Sequence, residues 1–73
     1  MKLPLDRILL PKPVPAGMNP LVLMSLTYAI RTGARTEPIT VTREGKHYRI
    51  TDGRHRFMAS VIAGRDYVHA KVL

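Results

Sequence analysis

One segment constrains the fold most: Ile50-Thr51-Asp52-Gly53-Arg54-His55-Arg56-Phe57-Met58-Ala59. It reads as a strand end, a turn, and a helix that opens with three potential cations. A helix start presents unpaired N–H groups and a partial positive charge. Arg54, His55 and Arg56 placed there would make a site for an anion, most naturally a phosphate. Asp52 suits the N-cap, since a carboxylate can accept from amides two or three residues on. Gly53 would let a ligand approach the backbone. The alternative is an Asp-capped helix whose arginines are merely solvated.

The flanking sequence predicts strands and helices in alternation. Residues 3–10 read as a first strand, interrupted by Asp6 and Arg7. Pro11, Pro13 and Pro15 then impose an extended, stiff loop over 11–17. Asn19-Pro20 is a helix start, with Asn as cap and Pro at the first helical position. That helix is expected to run to Thr32 and stop at Gly33. Its apolar stripe, Val22, Leu23, Leu26, Ala29 and Ile30, is expected to pack on a sheet. A second stripe, Leu21, Met24 and Tyr28, is left over. Either the small sheet curls over part of this stripe or its residues sit exposed singly, or they form a homodimer or protein-partner surface.

Residues 38–43 and 47–51 alternate as two strands joined by a turn at Glu44-Gly45-Lys46, with Ile39, Val41, Tyr48 and Ile50 as core positions. A second helix is expected over 53–63, with Phe57, Met58, Val61 and Ile62 inward and Gly64 closing it. A last strand over 67–73 alternates Val68, Ala70 and Val72 with Tyr67, His69 and Lys71. The result is one domain over residues 1–73, α/β in class, ordered β-α-β-β-α-β, with two helices on one face of a small mixed sheet.

Charge and composition bound the function. A formal charge of +7 on 73 residues favours polyanionic partners: nucleic acid, nucleotides or an acidic protein face. There is no cysteine, which excludes disulfides, thiolate metal sites and cysteine nucleophiles. No apolar run is long enough to span a bilayer, and the first residues lack a signal-peptide pattern. A cytoplasmic protein without membrane partners is the expectation. His47, His55 and His69 fall on different elements, which argues against zinc. Of the acids, only Asp52 lies in the segment above. Glu37 could approach it through strand pairing, while Asp6, Glu44 and Asp66 are scattered. Cations of the hairpin (Arg43, Lys46, Arg49) and of loops and helix ends (Lys12, Arg31, Arg35) would form a phosphate track only if they joined Arg54 and Arg56 on one side. Among the aromatics, Tyr48 and Phe57 read as core, which weakens base stacking.

The order and motifs resemble the N-terminal domain of the ParB/sulfiredoxin superfamily, the ParB-like nuclease domain, over nearly the whole chain. Leu5-Asp6-Arg7-Ile8 is similar to its opening strand. The run from Leu26 through Ala29-Ile30-Arg31-Thr32-Gly33 to Glu37-Pro38-Ile39-Thr40-Val41 resembles its helix, glycine stop and Q-P-I-x-V strand, with Glu37 in place of Gln. The segment from Tyr48 to Ala59 resembles its Y-x-I-x-x-G-E-R-R-x-x-A box. In that family the box binds nucleotide phosphates or lies near DNA. Gly53 and Arg56 match it. His55 replaces an arginine, and Arg54 replaces the glutamate that assists metal and nucleotide chemistry, so hydrolysis is put in doubt. Arg54 also stands where sulfiredoxins carry their catalytic cysteine, so that chemistry is excluded.

Partition proteins continue into a helix-turn-helix and a dimerisation domain. Without these, sequence-specific DNA reading is not expected. Stand-alone domains of this type suggest a phage or mobile element. The resemblance therefore implies a non-catalytic module that binds nucleic acid or nucleotide through Gly53, Arg54, His55 and Arg56, with CTP or ATP and Mg as potential cofactors. One alternative is a nuclease or nucleotide hydrolase using Asp52, His55 and Glu37. Another is an interaction protein binding a partner through Leu21, Met24 and Tyr28.

Overall fold

The computed structural model describes residues 1–12 and 17–73. Most of the proline-spaced loop, residues 13–16, lies outside the described residues. Among the described residues five strands and two α-helices form: β1 (Lys2–Pro4), β2 (Ile8–Leu9), α1 (Pro20–Arg31), β3 (Ile39–Glu44), β4 (His47–Asp52), α2 (Arg54–Ile62) and β5 (Tyr67–Val72). They make one small α/β domain with a mixed sheet in the order β1-β5-β3-β4-β2. β3 and β4 are an antiparallel hairpin. β5 runs parallel to β3, and β2 parallel to β4, while β1 is antiparallel to β5.

The single strand expected over 3–10 is in fact two strands on opposite edges of the sheet. Asp6 and Arg7 belong to a 3-10 turn, Leu5–Arg7, that separates them. Pro4 and Ile8 are four residues apart and can be at most about 14 Å from one another. Across a flat five-stranded sheet the two edges would be roughly 19 Å apart. The sheet must therefore curl toward closure. Inside the curl lie Leu3, Ile8, Ile39, Val41, Ile50, Phe57, Val68 and Ala70. Ile39, Val41 and Ile50 are fully buried, as period-two alternation predicts, whereas Tyr48 is only half-buried against this cluster.

The helical layer differs from expectation. α2 lies against β3 and β5, and α1 packs chiefly on α2. No α1 residue joins the central apolar cluster, so its stripe covers a helix rather than the sheet, and Val22 remains exposed. α2 is thus covered on two sides, and small residues fill the crowded positions: Ala59 and Ser60 are buried, while Val61 and Ile62 fall at the rim, exposed. The buried hydroxyls of Thr27 and Ser60 donate to carbonyls of their own helices, Leu23 O and Arg56 O, so neither is a buried orphan.

The helices run parallel. At one end the backbone N–H of Asn19 meets His55, and at the other Arg31 donates to Ile62 O and Arg65 to Ile30 O. Asn19 caps α1 as predicted, its Oδ1 accepting from the amides of Leu21 and Val22.

Candidate functional site

The parallel arrangement brings both helix N-termini, the positive ends of their dipoles, to the end of the sheet where β4 passes into α2. The joint is Gly53, with φ +103°, in a region that L residues avoid. A Cβ there would stand 2.7 Å from Cγ2 of Ile39. Glycine is therefore required by the turn and by a fully buried neighbour, whatever ligand the site takes.

Asp52 is not the cap of α2. It ends β4, Gly53 occupies the cap position, and no side chain accepts from the first-turn amides. The reason is geometric: the left-handed turn at Gly53 separates the carboxylate from the helix axis. Asp52 Oδ2 instead accepts from Arg56 Nη2 at 3.3 Å, and Glu37 Oε2 accepts from Arg56 Nη1 at 3.4 Å. Glu37 does reach the box, but as a partner of Arg56. Both carboxylates are highly exposed, so each pair is weak in energy. Their geometric effect is to hold Arg56 as a strut between the approach to β3, the end of β4 and α2.

His55 is also engaged. Its Nε2 accepts the backbone N–H of Asn19 at 3.0 Å. That contact engages the ring nitrogen facing α1 and ties the first turn of α2 to the cap of α1. Arg54 is different. Its Nε is buried and has no hydrogen-bond partner among the described residues, which leaves one strong donor unmet beside an uncapped helix start. Asp52, Gly53, Arg54, His55 and Arg56, with Val22 and Leu26 of α1, line an open hollow of about 280 Å³.

A second hollow of about 250 Å³ lies on the other side of Arg56. It is lined mainly by the segment from Gly33 to Glu37, by Ser60 of α2, and by Arg65 and Tyr67. Sequence reasoning does not mark Ser60 or Arg65 as site residues.

The hairpin cations do not join the box. Lys46 lies in the turn before β4, whose two ends, His47 and Asp52, are roughly 17 Å apart at strand rise. Arg49 is bound to Glu44 by two hydrogen bonds of 2.9 and 2.7 Å and donates to Leu10 O. Among the described residues no three His, Cys, Asp or Glu side chains gather where they could hold a metal ion. A magnesium site built on Asp52 and Glu37 does not fit this donor set, because both carboxylates face a guanidinium. Leu21, Met24 and Tyr28 form one exposed ridge on α1, away from the box.

A curled mixed sheet with two parallel helices gives this small α/β domain the ParB/sulfiredoxin-like fold. Solved structures carry that assignment. The C-terminally truncated chromosome-partitioning protein ParB from Caulobacter crescentus complexed with CTP-γ-S superposes with a TM-score of 0.85 at 23% identity, over 100% of this chain and 43% of that one. The same protein complexed to the centromeric parS site gives 0.86 at 23%, over 100% and 40%. Sulfiredoxin from Arabidopsis thaliana gives 0.86 at 25%, over 100% and 82%. This chain thus spans about two fifths of the ParB chains. No family model matches it, and no curated protein does.

Proposed function

We propose that this domain binds a phosphate-bearing ligand, a nucleotide or nucleic acid, at the first turn of α2, without catalysing its breakdown. The observation that carries the reading is Arg54: a buried Nε without a partner, beside first-turn amides that no side chain caps. A phosphate oxygen would satisfy the free amides, and the Arg54 guanidinium would turn to meet it. Arg56 and His55 hold the turn in shape. The ParB of Caulobacter crescentus has this fold and is seen with CTP-γ-S and with parS, which supports a ligand of this class. The engagement of Asp52 and Glu37 with Arg56 weighs against a hydrolase that would need those carboxylates on a metal.

The test is binding of CTP, ATP and short single- and double-stranded DNA to the wild type and to Arg54→Ala, across a salt series. The reading expects at least one ligand to bind, with a loss of tenfold or more in Arg54→Ala and an unchanged fold by circular dichroism. Salt-steep DNA binding would identify the ligand as nucleic acid; saturable CTP or ATP binding would identify a nucleotide. Wild-type binding that Arg54→Ala leaves intact, or no binding at all, would overturn it. Divalent-ion-dependent cleavage abolished by Asp52→Asn would replace it with the enzyme reading.

A further inference from the structure

The outer face of the helix pair is apolar and has no partner. Met24 is 68% exposed and Tyr28 71%, and Leu21 continues their ridge by one turn. Between this ridge and the exposed Ile62 at the end of α2 runs an open groove of about 300 Å³, with Arg31 at one end. From Leu21 to Arg31 the ridge is about 15 Å long, or three helical turns. An amphipathic helix laid in such a groove would match that length and anchor spacing.

Charge selects among the occupants. Neither α1 nor α2 contains an Asp or Glu. The charge at the groove is Arg31, which donates to Ile62 O and makes no ion pair among the described residues. A second copy of the chain would bring another +7 against this one. A bilayer would call for cations along both flanks of the apolar strip, and Arg31 stands at one end only. We infer that this groove receives an acidic amphipathic helix of a partner protein, its apolar residues on Met24, Tyr28 and Ile62 and its carboxylates toward Arg31. The inference does not depend on the anion site, because none of the residues that line this groove lines the hollow at the first turn of α2.

The probe is a fluorescein-labelled synthetic peptide of about four helical turns, with Leu at helical spacing and Glu elsewhere. Two comparison peptides keep its composition in scrambled order, or replace Glu by Lys. The patterned acidic peptide should bind at least tenfold tighter than either. Met24→Glu and Tyr28→Ala should each weaken it tenfold or more, and Arg31→Glu should weaken it while strengthening the Lys peptide. Because Met24 and Tyr28 are exposed, their two variants should keep the wild-type melting temperature. Equal binding of the scrambled peptide, or no effect of both Met24→Glu and Tyr28→Ala, would overturn the inference. So would a concentration-dependent mass lost in Met24→Glu, which would assign the groove to a second copy. Binding to anionic vesicles lost in that variant, with the peptide silent, would assign it to a membrane.

Discussion

The backbone N–H of Asn19 donates to Nε2 of His55 over 3.0 Å, so the residue that caps α1 is itself held by the first turn of α2. The start of one helix thereby depends on a side chain in the candidate phosphate site. His55→Ala should cost about 1 kcal/mol, the usual net value of one neutral hydrogen bond. The loss should be local. Hydrogen exchange should speed up at the amides of Leu21 to Leu23 and stay unchanged in β3 and β5. Uniform acceleration across the domain would mean that the contact has no such local role.

Gly53 gives the steepest stability prediction. Gly53→Ala combines a left-handed backbone with a Cβ 2.7 Å from Ile39 Cγ2. Backbone strain and overpacking each cost about 1–3 kcal/mol. Chemical denaturation should therefore show a loss of about 2–6 kcal/mol in all. Gly45→Ala is the comparison, since its φ is also positive but nothing lies within 4 Å of its Cβ position. It should lose less than half as much.

The two carboxylates on Arg56 separate a binding site from a metal-dependent one. If the site attracts phosphate by charge, Asp52 and Glu37 oppose it. Glu37→Gln and Asp52→Asn should then each tighten binding of a nucleotide or oligonucleotide, by about two- to fivefold at low salt, with the gain shrinking as salt rises. Weaker binding in both variants would instead mark these carboxylates as ligand contacts.

Acid sensitivity should appear at the hairpin. The hydrogen bond from Arg49 holds the Glu44 carboxyl below its ordinary value. A carboxyl whose pKa is lowered by folding contributes stability above its unfolded-state pKa and loses it as the pH falls through the folded one. Urea midpoints of the wild type and Glu44→Gln should differ at neutral pH and converge in acid, below the ordinary carboxylate value of 4.5. Arg49 also donates to Leu10 O, so Arg49→Met should destabilise more than Glu44→Gln does.

Local patterns made the elements legible, and packing between elements decided what they did not show. Asn19, Pro20 and Gly33 bracket α1 because capping chemistry is written in adjacent residues. Ile39, Val41 and Ile50 are buried because a strand alternates. Asp6 and Arg7 signalled an interruption, but nothing local told that the strands on either side of it pair with different partners. The exposure of Val61 and Ile62 follows from α1 lying on α2, a relation between residues some thirty positions apart. The box was legible as a motif. The partners of its side chains were not, because Asn19 and Glu37 reach it only through the tertiary fold.

The chain start that straddles the sheet has a consequence for association between molecules. An open sheet offers two rows of unpaired backbone groups to any other strand. Here one edge is three residues long and ends in Pro4, the other is two residues long, and the curl turns each toward the other. A neighbouring chain would find almost no continuous ladder to extend. The connectivity of the chain start thus keeps both outermost strands short and limits what an added strand could pair with there.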